Sequence, residues 1–103
     1  MDEKIMNKYE SIMILVPDIE EKRKEEILDK IRNVIMNYST KDKEIVVEEM
    51  GKKRLAYEIK NNKEGYYIVI NFTCEPEAIK ELERYYRITD EVLKFLTISK
   101  QED

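Results

Sequence analysis

The sequence predicts an α+β protein of the ferredoxin-like class, in which four strands form an antiparallel sheet and two helices cover one face. Strand-like and helix-like segments follow one another in the order β-α-β-β-α-β, and this order divides into two β-α-β halves. Right-handed crossovers place the helices of both halves on the same face of the sheet. The length of 103 residues suits one small hydrophobic core. We therefore predict a single domain over residues 1–103, with flexible ends at 1–7 and 100–103.

The first strand and the first helix are predicted from residues 9–38. Residues 9–16 form a nearly continuous apolar run closed by Pro17 and Asp18, which is typical of a central strand buried on both faces. Apolar residues then recur at helical spacing from Ile27 to Tyr38, behind a charged run. Asp18 is the predicted N-cap of this helix, with Glu21 three residues further on.

The middle of the sequence predicts two strands joined by a turn. The second strand begins near Val46, passes a predicted bulge at Gly51 and continues to Ile59. The polar residues 60–65 turn the chain back into a third strand at 66–72, which is apolar at both parities.

The second helix and the last strand are predicted from residues 75–99. Pro76 takes the first helical position, with a glutamate on either side, as helix starts prefer. Leu82 and Tyr86 mark the buried face of this helix. The polar segment 87–90 ends the helix, and residues 92–99 form the fourth strand.

The composition restricts the functions that this chain can have. It has no histidine, one cysteine and two glycines, which argues against acid-base catalysis near neutral pH, the usual zinc sites and a phosphate-binding glycine loop. The acidic pairs Glu20-Glu21 and Glu48-Glu49 match no calcium loop. We therefore expect no enzyme activity, no metal and no cofactor.

Charge and cysteine content favour a cytoplasmic protein whose nucleic-acid contacts are local. The net charge of -4 argues against binding RNA by bulk attraction. Cys74 cannot form an internal disulfide, and we expect it to be a small core residue in a reducing compartment. No apolar run approaches the roughly 18 residues that span a bilayer.

A basic cluster on the second strand is the first candidate site. Lys52, Lys53 and Arg54 stand beside Leu55-Ala56-Tyr57, and cations next to aromatic residues on a strand favour a nucleic-acid surface. The alternative is that these charges solvate an edge strand and discourage aggregation.

An apolar sheet face is the second candidate site, because the central strands are apolar at both parities while helices cover one face. With Glu10 pointing away from the helices, Ile12 and Ile14 lie on the uncovered side, and Tyr66, Ile68 and Ile70 are their expected companions. Such a patch predicts a protein partner. The alternatives are a face assignment shifted by one residue and dimerisation of this chain.

Four segments carry a family resemblance: KYE at 8–10, GKKRLAY at 51–57, EGYY at 64–67, and IKELERYYRI at 79–88 followed by VLK at 92–94. Together they resemble the sixth protein of the bacterial small ribosomal subunit over residues 8–98. The resemblance departs from the family pattern at Glu58, where proline is usual, and at residues 39–42, where a glycine pair is frequent.

The resemblance implies a non-catalytic assembly protein with the fold predicted above. It implies a heterodimer with the eighteenth small-subunit protein, which brings much of the positive charge, and binding of this heterodimer to the central domain of small-subunit ribosomal RNA. The uncovered apolar face would dock the partner. The RNA-binding residues expected from the resemblance are Lys8, Lys52, Lys53, Arg54, Arg84, Arg87 and Lys94.

Two other functions are compatible with this sequence. An independent RNA-recognition module of the same fold would stack single-stranded bases on aromatics of the first and third strands; Tyr66 and Tyr67 suit it, but Glu64 and the lack of an aromatic in the middle of the first strand do not. A small-molecule regulatory domain is the other alternative. The absence of a glycine-rich ligand loop argues against it, and ligand-dependent dimerisation would reveal it.

Overall fold

Four strands and two helices follow one another in the predicted order in a computed structural model that describes residues 5–39 and 45–100. The predicted ferredoxin-like class is confirmed. The ends at 1–4 and 101–103, part of the segments expected to be flexible, lie outside the described residues. The elements are β1 (Asn7–Leu15), α1 (Glu21–Met36), β2 (Val46–Ile59), β3 (Asn62–Cys74), α2 (Glu77–Ile88) and β4 (Val92–Ser99).

The sheet has the order β2-β3-β1-β4, so β1 and β3 are central and all neighbours are antiparallel. Strand β1 pairs with β3 from Asn7 opposite Cys74 to Leu15 opposite Tyr66. The β2–β3 hairpin continues past this last pair. We call residues 53–65, which extend beyond the end of β1, the arm.

The arm ends in a tighter turn than the sequence predicted. Lys60 and Asn61 alone connect the strands, with φ of 49° and 67°, and β3 begins at Asn62 rather than at residue 66. Positive φ at both central residues gives the turn the twist that a two-residue hairpin needs. The sequence did not predict a strand at residues 62–64 because these residues are polar. They are polar because this part of the hairpin lies outside the core.

The bulge predicted at Gly51 is confirmed. The pairing of β2 with β3 shifts between Glu49 and Gly51, and Gly51 has a φ of 85°. A left-handed backbone at this point suits glycine, because other residues meet a steric cost there.

The main core lies between the sheet and the two helices. Sheet residues such as Met13, Ile68 and Ile70 are fully buried against helix residues such as Ile31 and Leu82. The core also holds a chain of hydroxyl groups. Ser11 Oγ and the Tyr86 hydroxyl share a hydrogen bond of 2.7 Å, and Thr97 Oγ1 donates to Ser11 Oγ at 3.1 Å. Each buried hydroxyl therefore has a partner, as burial of polar groups requires.

The start of α1 differs from the prediction. Asp18 is exposed and does not cap the helix; the N-cap is Glu20, whose side chain makes no capping hydrogen bond. The reason is Ile19, which packs against the core and donates its backbone N–H to the Val16 carbonyl oxygen, so the helix begins two residues later than predicted. Pro76 is the N-cap of α2 rather than its first helical residue, and its φ of -56° and ψ of -28° are already helical.

A charged cluster joins α1 to the β2–β3 hairpin. The ammonium of buried Lys24 lies 2.6 Å from Glu49 Oε1 and 2.9 Å from Glu21 Oε1. The Tyr66 hydroxyl donates to Glu49 Oε1 at 2.6 Å, and the Lys24 ammonium lies 5.1 Å from the centre of the Tyr66 ring. The hydrogen bond from Lys24, followed by that from Tyr66, holds the pKa of the Glu49 carboxyl below its ordinary value.

This cluster predicts that the free energy of unfolding decreases in acid. A carboxyl whose folded pKa is depressed stabilises the fold above its unfolded pKa, and the contribution is lost as the pH falls through the folded pKa. Because 35% of the Glu49 side chain is exposed and solvent screens its ion pair, Glu49→Gln should reduce the free energy of unfolding by only about 0.5–1 kcal/mol at neutral pH. It should also flatten the decline of this free energy from neutral pH into the acid range. Urea unfolding across that range measures both quantities. Glu25→Gln, on the exposed side of α1, is the matched control and should change neither.

Candidate RNA and protein interfaces

The sheet face away from the helices, which we call the open face, is apolar at its centre. Residues that pair across the sheet point to the same side, and Ile12 pairs with Val69 on one side and Leu96 on the other. Leu96 is 55% exposed and Ile98 is 41% exposed. The three rows of the open face across β3, β1 and β4 are Asn71, Glu10 and Ile98; Val69, Ile12 and Leu96; and Tyr67, Ile14 and Lys94.

The predicted partner residues divide between the two faces. Ile12 and Ile14 lie on the open face as expected, but the placement of Tyr66, Ile68 and Ile70 there was wrong. Ile68 and Ile70 are fully buried in the helix-side core, and Tyr66 contacts α1 through Lys24. The physical reason is register: Ile12 lies opposite Val69, so the other parity of β3 faces the helices.

A second, smaller core closes the open face where the arm leaves the sheet. Ile14, Leu55 and Leu93 are buried there, and Tyr67 is among the residues packed against them. A Cβ at Gly65 would collide with the Ile14 side chain and lie 3.4 Å from the Leu15 carbonyl oxygen. Glycine at this position therefore lets the arm pass close to β1, and the arm in turn covers Ile14.

The basic cluster at the base of the arm is exposed but does not lie on one face. Lys53 has the parity of Leu55, which packs on the open-face side, whereas Arg54 lies opposite Glu64 and points to the other side. Lys52 forms a 3.7 Å ion pair with the exposed Asp18. Consecutive cations on a strand thus present charge on both sides of the hairpin.

Two more of the predicted RNA-binding residues lie on the open-face side of the sheet. The Lys94 ammonium donates to the Tyr57 hydroxyl at 2.9 Å, which links β4 to the arm. Lys8 is exposed near the other end of β1, seven residues and about 23 Å from Leu15. The backbone N–H of Lys100 donates to the Lys8 carbonyl oxygen at 2.7 Å, which makes Lys100 an exposed neighbouring cation that sequence reasoning missed.

The remaining two predicted residues lie on α2. Arg87 pairs with Glu83 at 3.6 Å and lies 5.6 Å from the centre of the Phe95 ring. Arg84 lines a groove of about 200 Å³ between the helices, together with Lys30 and Ile88. The structure therefore spreads the seven predicted cations over β2 and the base of the arm, β4, the far end of β1 and α2, rather than along a single strip.

The remaining reactive groups are few in the part of the chain that the structure describes. Cys74 is buried, and this burial raises the pKa of its thiol to about 12, in agreement with the prediction of a core residue. Within residues 5–39 and 45–100, no three histidine, cysteine, aspartate or glutamate side chains group together as a metal site. No described helix is long and apolar enough to cross a membrane.

The sheet with one face covered by helices, the apolar open face and the basic hairpin define a small α+β protein of the ferredoxin-like class. The family model of ribosomal protein S6 matches residues 8–99. The chain belongs to the ribosomal protein S6 family.

Curated relatives and a solved structure agree with this family. The chain is 41% identical over 98 residues to small ribosomal subunit protein bS6 of Halalkalibacterium halodurans, with 95% of this chain and 100% of the relative covered. It is 40% identical over 94 residues to bS6 of Caldanaerobacter subterraneus subsp. tengcongensis, with 90% and 96% covered. The crystal structure of 30S ribosomal protein S6 from Thermotoga maritima superposes with a TM-score of 0.80 at 34% identity, covering 93% of this chain and 89% of that one. Bacterial ribosomal proteins are cytoplasmic, as the sequence predicted for this chain.

Proposed function

We propose that this protein is a non-catalytic constituent of the small ribosomal subunit that binds the central domain of small-subunit ribosomal RNA as a heterodimer with the eighteenth small-subunit protein. Membership of the ribosomal protein S6 family supports the ribosomal role. The observation that supports two separate binding roles is the presence of two separate surfaces. The apolar open face would bind the partner protein, and the exposed cations of the arm would bind the RNA.

The open face suits a basic protein partner with an apolar contact surface. Its centre is formed by Ile12, Val69 and Leu96, and an apolar centre of this kind favours a protein interface. Two carboxylates flank it, since Glu10 lies in the neighbouring row and Glu48 pairs with Val69 from β2. These two carboxylates favour a basic partner on their side of the centre, while the cation Lys94 lies in the row on the other side.

The same partner accounts for RNA binding by a chain with a net charge of -4. The partner supplies positive charge over a wide area, and this chain adds cations at defined points. Lys53 and Arg54 are exposed and make no ion pair within the described residues, so they can exchange counterions for phosphates. Tyr66 lies against α1, which removes one of the two aromatics that an independent single-strand module would need.

Reversal of two charges tests the RNA-binding surface. The double variant Lys53→Glu and Arg54→Glu should weaken binding of the heterodimer to a central-domain RNA fragment. It should also make the log-log salt dependence shallower by about 1.5 units, because two phosphate contacts are lost. Equilibrium binding across a salt series, with and without the eighteenth protein, measures both effects.

The control has the same charge change elsewhere. Lys22→Glu with Lys80→Glu alters two exposed helix lysines that make no ion pair within the described residues, and it should leave the slope unchanged. An unchanged slope in the Lys53 and Arg54 variant would mean that these cations solvate an edge strand. Absence of RNA binding by the wild-type heterodimer would refute the proposed function itself.

A further inference from the structure

The arm projects from the sheet as a two-stranded ribbon. Its last pairing with the central sheet is at Tyr66 opposite Leu15, and the turn at Lys60 and Asn61 lies five residues further out, roughly 15 Å away. Apart from Leu55, Ile59, Asn62 and Gly65, the residues of the arm are exposed. Its outer part therefore adds surface to the protein and little core.

The charge of the arm is opposite to that of the whole chain. Four cations and two carboxylates, Glu58 and Glu64, give the arm a net charge of +2, whereas the chain has -4. The four cations are Lys53, Arg54, Lys60 and Lys63.

These four cations are also uncompensated. Within the described residues none of them forms an ion pair, whereas Arg23, Lys24, Arg32 and Arg87 on the helices are all paired with carboxylates. An unpaired surface cation can bind a phosphate without first breaking an internal contact. The arm thus carries four available cations in one short segment, although other exposed cations, such as Lys22 and Lys80 on the helices, are also unpaired in the described part of the chain.

The geometry of the arm suits two phosphate backbones at once. Lys53 and Arg54 point to opposite sides of the ribbon, and Lys60 and Lys63 lie at its tip. Arg54 and Lys63 both line a hollow of about 480 Å³ beside the arm, which Glu64 also lines. The turn is held by the Asn62 side-chain amide, which donates to the carbonyl oxygens of Ile59 at 3.3 Å and Lys60 at 3.0 Å.

The arm is poorly suited to single-stranded RNA, which proteins bind by stacking bases on aromatic rings. Tyr57 is the aromatic residue of the arm. Its hydroxyl accepts a hydrogen bond from Lys94, and the Lys94 ammonium lies 5.2 Å from the centre of its ring. The arm therefore offers one aromatic ring, 61% exposed and held to β4 by its hydroxyl, whereas stacking of successive bases needs several rings.

We propose that the arm is a duplex-RNA-binding element, which lies between the two phosphate backbones of a double-helical RNA segment and contacts both. The tip residues Lys60 and Lys63 then contribute to RNA binding alongside Lys53 and Arg54. Sequence-independent contacts of this kind position a protein on RNA by shape. The inference rests on the proposed function, since it assigns the RNA contact of that function to one structural element.

Neutralisation of the tip tests the inference. The double variant Lys60→Gln and Lys63→Gln, mixed with the eighteenth protein, is titrated with a central-domain RNA fragment across a salt series. The slope should become shallower by about 1.5 units, so the ratio of affinities between about 50 and about 200 mM salt should shrink roughly tenfold. Lys22→Gln with Lys80→Gln is the matched control and should behave as wild type. Affinity for the eighteenth protein without RNA should not change in either variant.

Competition distinguishes the two kinds of RNA. A duplex should displace the wild-type heterodimer from the fragment better than an unpaired strand of the same length, and this preference should fall in the tip variant. Equal competition by both RNAs would overturn the duplex assignment. A tip variant that binds like wild type would overturn the role of the arm and leave the proposed function standing. If wild-type heterodimer did not bind the fragment at all, the proposed function and the inference would fall together.

Discussion

A Leu96→Asp variant should lose its affinity for the eighteenth small-subunit protein and remain folded. Leu96 is 55% exposed and lies in the central row of the open face beside Ile12, so the free protein tolerates a carboxylate there. In the heterodimer the same carboxylate would be buried against apolar surface, close to the negative charges of Glu10 and Glu48, at a cost of about 2–5 kcal/mol. Titration calorimetry should therefore show an affinity loss of roughly 30-fold or more at every salt concentration.

Ile88→Asp provides the matched control for this experiment. Ile88 is 70% exposed at the end of α2, on the helix side of the sheet, and its substitution makes the same chemical change away from the open face. It should leave partner binding unchanged. Normal binding by Leu96→Asp would show that the partner docks elsewhere. Should Leu96→Asp fail to fold, Ile98→Asp on the same face provides a second test.

The second large effect is expected at Ile68, where an Ile68→Asp variant should not fold. Ile68 is fully buried between the sheet and the helices. An unpaired carboxylate there costs several kcal/mol in addition to the lost apolar burial, which is comparable to the whole stability of a small domain. Circular dichroism and one-dimensional proton NMR should show an unfolded chain at room temperature.

Val69→Asp is the control for Ile68→Asp, because these neighbours point to opposite faces of β3. We expect Val69→Asp to fold and to lose partner affinity. A folded Ile68→Asp that lost partner binding would mean that Ile68 lies on the open face, as the sequence analysis first predicted.

The element order could be predicted from the sequence because each element has its own local signal. The apolar run that forms β1, the helical spacing of α1 and the predicted limits 92–99 of β4 all correspond to the structure. The N-cap at Asp18 could not be predicted in the same way. It depends on how Ile19 packs against the core, which is a tertiary contact.

The faces of β3 could not be assigned from the sequence, because both parities of that strand are apolar. Ile68 and Val69 are equally good core residues by composition, and the pairing of β3 with β1 decides between them. The sequence could identify Lys53 and Arg54 as candidate RNA contacts. It could not identify the ion pair between Lys52 and Asp18, which depends on two segments meeting in the fold.

The close approach of Gly65 to Ile14 fixes the direction in which the arm leaves the sheet. This close van der Waals contact against β1 lies at the base of the arm, and the cations of the arm extend from there to the turn at Lys60. Because the tip lies far from this point, a small change in the direction of the arm at its base moves the tip by a larger distance. The position of the tip therefore depends on the uncharged atoms at the base. In this protein the position of the arm's cations therefore depends on Gly65, a residue that has no side chain.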